Sequence, residues 1–180
     1  MNEKQQHEEY LTKQFLKDFG CSEVSLETGD KPDIIAVIDG RRIGIEQTTY
    51  HADEQNGNSG SHLRNCAEKN AKSTQKPLTM AVNIDPYPAF LMRIKDKIEK
   101  SKKYDAGQYS ELWLLISAQV PTPGTIAPTY IPCSLLDTDK LNNTSHSLLN
   151  ASPFTAAYIH LVTTHNLFSW SRELLWTRCQ

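Results

Sequence analysis

An α/β domain built on a mixed β-sheet covered by helices is what this sequence predicts, and three observations predict it. Apolar residues recur at three-to-four spacing in two stretches, Leu11, Phe15, Leu16, Phe19 and Phe90, Leu91, Ile94, Ile98, as on the buried stripe of a helix. Short apolar runs bounded by turn residues lie between and beyond them, as in buried strands. The two kinds of segment alternate along the chain, which favours helices packed on one sheet. At 180 residues the chain suits a single domain able to bury a core.

The elements follow in order. Residues 3–19 read as a helix ended by Gly20. Residues 22–28 alternate weakly, as a short strand would. DIIAVI (33–38) and RRIGIEQTTY (41–50) are strand-like runs separated by Asp39-Gly40, a strong hairpin signal. A polar loop over 51–60 leads to Ser61, a suitable N-cap for a helix over 62–72. LTMAVNI (78–84) reads as a strand, 88–104 as a helix and LWLLIS (112–117) as a buried strand. Residues 118–133 hold four of the nine prolines and read as a loop. Residues 137–152 are polar and read as a mobile segment. YIHLV (158–162) and LFSW (167–170) read as a closing pair of strands.

Composition excludes several classes. The 19 basic and 21 acidic residues nearly balance, which argues against a generic basic nucleic-acid coat but not against a local basic strip. No stretch approaches the roughly 18 apolar residues of a membrane-spanning helix. The acidic, polar start MNEKQQHEEY is unlike a signal peptide, and a cytoplasmic location is the expectation. Cys21, Cys66, Cys133 and Cys179 lie far apart without a CxxC, so reduced thiols are expected rather than zinc or disulfides. No Gly-rich phosphate loop occurs. Of the histidines, His51 follows the hairpin and could approach a site there, while His160 and His165 lie on or beside a strand. Trp113, Trp170 and Trp176 read as core or interface residues, and LFSWSRELLW could support a homodimer.

The hairpin carries the chemistry. With a two-residue turn at Asp39-Gly40, Asp33 faces Glu46 across the strands, with Cβ atoms about 4.5–5.5 Å apart. A three-residue turn with a bulge would shift this pairing by one. Opposed carboxylates repel unless a proton or cation lies between them. Ile34, Ala36 and Ile38 alternate with Ile35 and Val37, so both faces of the strand read as buried. Apart from Lys31, no basic residue on these strands lies close to both acids. A hard divalent cation, Mg²⁺ or Mn²⁺, would resolve the conflict. The alternative is that both acids sit at strand ends and reach solvent. Side chains placed apart, or either acid steered to a buried ionic partner, would end the metal reading. If the metal reading holds, Glu46→Ala should abolish cleavage and leave the melting temperature unchanged or higher, because it relieves the repulsion.

Lys31-Pro32-Asp33, an apolar strand, a turn and then Glu46-Gln47-Thr48 resemble the PD-(D/E)XK nuclease superfamily, the restriction-endonuclease-like fold. Its core order of helix, three-strand meander, helix and strand matches residues 3–117, leaving 118–180 as a C-terminal extension. Gly60-Ser61-His62-Leu63-Arg64 with Glu68-Lys69, and Glu111-Leu112-Trp113-Leu114-Leu115-Ile116, resemble segments of uncharacterised bacterial members. The resemblance implies Mg²⁺-dependent hydrolysis of phosphodiester bonds, in DNA or else RNA. It implies Asp33, Glu46 and the Gln47 carbonyl as metal ligands. It also implies Glu8 as a helical acid, on the buried stripe with Leu11 and Phe15, while Glu9 points toward Lys13. Glu8 could equally be a solvated acid favoured by the helix dipole. Thr48 stands where the family carries Lys. It can orient a water but carries no charge, so a migrated cation (Lys31, formally opposite Thr48, or Arg64 or Lys69) would have to compensate. Because that Lys is missing, the alternative is an inactive member that binds nucleic acid or a protein partner.

Residues 90–104 hold Arg93, Lys95, Lys97, Lys100, Lys102 and Lys103 against Asp96 and Glu99. Such a strip could engage phosphates non-specifically, or be an ordinary solvated helix face. Arg93, Lys97 and Lys100, with Ser61 and Arg64 of the preceding segment, are the expected nucleic-acid contacts.

Overall fold

The computed structural model describes residues 3–21, 24–50, 85–118 and 136–179. The helix expected over 62–72 and the strand over 78–84 fall outside them, as do His51, Ser61, Arg64, Lys69, Cys66 and Cys133, and all of the proline-rich loop except Ala118. The described strands form one seven-stranded sheet in sequential order.

Helix α1 (Glu3–Asp18) buries Leu11, Phe15 and Leu16. It ends where Gly20 turns to φ +89°. The Gly20 amide donates to Lys17 and the Cys21 amide to Leu16, so two of the terminal carbonyls are satisfied. Strands β1 (Ser25–Thr28), β2 (Ile34–Ile38) and β3 (Arg41–Thr49) form an antiparallel meander. At the β2–β3 turn Asp39 has φ 50° and Gly40 φ 72°. Positive φ at both central residues matches the right-handed twist of a hairpin and fixes a two-residue loop. Ile38 therefore pairs with Arg41 and Ile34 with Ile45, the register that the dipeptide predicts.

Helix α2 (Tyr87–Ser101) precedes β4 (Glu111–Ala118), which lies parallel to β3. Helix α3 (Thr138–Asn150) leads to β5 (Ala156–Leu161), parallel to β4. Strands β6 (Asn166–Ser171) and β7 (Thr177–Cys179) complete the sheet antiparallel. The mixed, helix-flanked sheet is thus observed. The segment read as an extension beyond residue 117 supplies three strands of that same sheet.

Helix α3 corrects the expectation of a mobile segment over 137–152. The Asp137 side chain caps it by accepting from the Asp139 and Lys140 amides. Its buried row is Leu141, Ser145 and Leu149, and Ser145 Oγ accepts from the Trp176 indole at 2.9 Å. A polar residue in the middle of the row thinned the apolar signal, and its partner lies 31 residues away.

Two apolar layers cover the two sheet faces. Phe15 and Leu16 of α1 pack on Ile34, Ala36, Ile43, Ile45, Trp113 and Leu115. Phe90 and Ile94 of α2 and Leu141 and Leu149 of α3 pack on Leu114, Ile116, Ile159 and Trp170. Trp113, Trp170 and Trp176 are all buried, as expected of core residues. Ile35 and Val37 are only half-buried, so β2 is less enclosed on its second face than its composition suggests.

Candidate active site

Asp33 immediately precedes β2, one step beyond the Ile34–Ile45 pair, so the hairpin register sets it across from Glu46. Strand alternation puts Glu46 on the face that carries Tyr50 and α2, and Gln47 on the other. The Gln47 side chain accordingly lies against Ser117 Oγ at 3.4 Å, away from the acids. Its backbone amide donates to Asp33 Oδ2 at 3.0 Å and so fixes that carboxylate against β3. A close backbone approach supports this geometry. A Cβ added to Gly44 would stand 2.8 Å from the Pro32 ring and 3.0 Å from Leu112, so only glycine lets Pro32 lie flat beside Asp33.

The charge conflict between the two acids is answered from α2. Lys97, only 8% exposed, sends its ammonium between them, 2.5 Å from Glu46 Oε1 and 3.4 Å from Asp33 Oδ2. The Tyr104 hydroxyl donates to the other Glu46 oxygen at 2.5 Å. Lys97 is thus the buried ionic partner that counts against the metal reading, and repulsion between the acids is no longer an argument for a metal. Lys97 is not on an exposed strip in this structure: its ammonium is turned into the sheet because Lys97 shares the buried side of α2 with Phe90 and Ile94.

The compensation is incomplete. Burial pushes the Glu46 carboxyl above the usual carboxylate range; Lys97 and the Tyr104 bond lower it and Asp33 raises it further. Glu8 of α1 lies at the same place, buried as its stripe position predicts, and Glu9 pairs with Lys13 at 2.6 Å. Burial also raises the Glu8 carboxyl, with Asp33 adding to the effect. Lys4, largely exposed, stands 3.0 Å from Glu8 and 3.8 Å from Asp33. Three carboxylates thus face one buried ammonium and one that water screens. Burial and Glu46 together push the Tyr104 phenol far up, so it stays a hydrogen-bond donor.

The remaining predicted residues divide. Thr48 is buried on the same face as Glu46, two residues along β3. Lys31 is exposed, and the cation buried beside the two acids is Lys97. Arg93 is half-buried, while Lys100 pairs with Asp96 and Lys102 with Glu99 along the helix surface. Of two further members of the site, the sequence reads Lys97 as a nucleic-acid contact on the helix surface and does not single out Tyr104. The signal for Lys97 was its place in the Phe90, Ile94 row; only the tertiary fold identifies Tyr104.

Among the described residues no group of three or more His, Cys, Asp or Glu side chains is arranged to hold a metal ion. Magnesium does not need such a cage, since it takes one or two carboxylates and completes its shell with water and substrate phosphate. Asp33 and Glu46 carry hard oxygens that could hold such an ion, and the Lys97 ammonium stands between them.

A second ionic cluster occupies the far end of α1. Asp18 Oδ2 lies 2.8 Å from Nε2 of the fully buried His160 and 2.9 Å from Nδ1 of the exposed His165. Burial lowers the His160 pKa despite Asp18, and the two imidazoles hold the Asp18 carboxyl below its ordinary value against the cost of its own burial.

No known family, curated protein or solved structure matches this chain. The functional reading therefore stands on the residues themselves. No described helix is long and apolar enough to cross a membrane.

Proposed function

We propose that the protein is a divalent-metal-dependent nuclease of the PD-(D/E)XK type that hydrolyses phosphodiester bonds, most simply in DNA. The observation that carries this reading is the meeting of Asp33, Glu46 and Lys97 on one sheet face, with Glu8 beside them. A pair of acids and an ammonium is the chemistry the missing family Lys put in doubt. Asp33 and Glu46, with the Gln47 carbonyl, would hold Mg²⁺, which when bound polarises a phosphoryl oxygen and lowers the pKa of a coordinated water.

The other roles belong to the chain. The Gln47 amide and the Tyr104 hydroxyl fix the two carboxylates in orientation. Lys97 supplies the positive charge for a phosphate that Thr48 lacks, and the Thr48 hydroxyl can orient a water. Exposed Lys95 and Lys103, with Arg93 and the surface lysines Lys100 and Lys102, give α2 and its C-terminal turn a basic edge for the nucleic-acid backbone.

One observation favours a second reading. The contacts of Glu46 with Lys97 and Tyr104 satisfy both of its oxygens within the protein, as they would in an inactive member that serves as a binding module. Incubation of supercoiled plasmid and of single-stranded RNA with Mg²⁺ or Mn²⁺ separates the two. The nuclease reading expects metal-dependent cleavage that Glu46→Gln loses. Metal binding without cleavage of either substrate would favour the binding module, and neither binding nor cleavage would overturn the metal site.

A further inference from the structure

Asp33 and Glu46 are bridged by an ammonium carried on a different element. Lys97 belongs to α2, while the acids belong to the β2–β3 hairpin. Its charge sits within hydrogen-bond distance of one oxygen of each acid, and those oxygens are also the donors a hard cation needs. An ammonium that bridges the facing oxygens crowds the place a divalent ion would take, and the two cations repel each other at contact. A lysine also reaches its charge through four methylenes, so the head can move while the helix stays packed.

We propose that Lys97 is an exchangeable counter-ion, which holds the carboxylate pair closed in the metal-free protein and swings out of it when a divalent cation enters. This rests on the metal-site reading above and adds regulation to it. The metal-free hairpin keeps its two acids together at the expense of metal affinity. Ion entry then releases an ammonium beside the pair, where it can meet a phosphate. Linkage makes the effect reciprocal: whatever strengthens the Lys97 bridge weakens metal binding by the same factor.

Wild-type protein labelled with ¹⁵N at lysine Nζ tests this directly with Mg²⁺ alone as the probe. Lys97→Met and Lys97→Gln assign the resonance and are titrated with Mn²⁺ by calorimetry. The expected results are a protected Lys97 ammonium signal in the metal-free protein that Mg²⁺ abolishes, and Mn²⁺ binding about tenfold or more tighter in both variants. Mn²⁺ should also raise the melting temperature of the variants more than that of wild type, because the ion takes over the missing ammonium's role. A variant that folds only with Mn²⁺ gives the same support. Metal binding that leaves the Lys97 signal in place would overturn the exchange and leave the metal site standing. Absence of binding by wild type and both variants would overturn both.

Discussion

The two ends of helix α1 carry two ionic clusters with opposite imbalances. Near its start, Glu8, Asp33 and Glu46 share one buried ammonium, Lys97, and the exposed Lys4. At its end, the single carboxylate of Asp18 lies between two imidazoles. In the first cluster burial raises Glu8 and Glu46, the charge of Asp33 adds to it, and three carboxylates share two ammoniums. In the second the imidazoles hold Asp18 below its ordinary value. A buried ionic group is thus no mark of function by itself. What distinguishes the first cluster is a deficit that an added cation would fill.

Removing Lys97 should break that comparison most severely. Lys97→Met strands two buried carboxylates, and we expect a loss of about 3–5 kcal/mol in metal-free urea denaturation. Glu46→Gln comes next, with a loss of about 1–3 kcal/mol, since it weakens the bonds to Lys97 and Tyr104. The sequence alone suggested the reverse sign for removing this acid, through relief of repulsion; the ammonium between the carboxylates changes the expectation. Gly44→Ala should cost about 1–3 kcal/mol by driving a methyl against Pro32 and Leu112. It should also loosen the site, read as reduced protection of the Gln47 amide in hydrogen exchange.

Acid should separate the clusters by sign. The folded pKa of His160 lies below its ordinary 6.5, so its contribution is fully present above that pH and lost as pH falls toward the folded value. Glu8 and Glu46 have folded values above 4.5, so their contribution is fully present below that pH and lost as pH rises through the raised values. Melting curves should show a limb below pH 6.5 that His160→Gln flattens, and an opposing limb above pH 4.5 that Glu46→Gln flattens. A limb below pH 6.5 that survives His160→Gln would assign it to other groups. The smallest effect should come from Tyr104→Phe, which keeps the ring and leaves Glu46 its bond to Lys97, about 1 kcal/mol.

Much of the geometry was legible because it is local. Asp39-Gly40 favours a two-residue hairpin turn, that turn admits one register, and the register sets Asp33 against Glu46. The stripe that buries Leu11 and Phe15 also turns Glu8 inward. What escaped depends on tertiary contact. Lys97 lies 51 residues from Glu46 and Tyr104 lies 58, and a lysine among other lysines reads as a solvated face until the helix it rides on is docked. Helix α3 was missed for a related reason, because Ser145 holds a core position through its bond to Trp176.

Anomalous scattering from crystals grown with Mn²⁺ shows whether the acid pair takes an ion. A peak is expected between the Asp33 and Glu46 carboxylates, with the Lys97 ammonium displaced from them. No peak at that place, with Lys97 still bridging the two acids at saturating Mn²⁺, would refute both the metal site and the exchange.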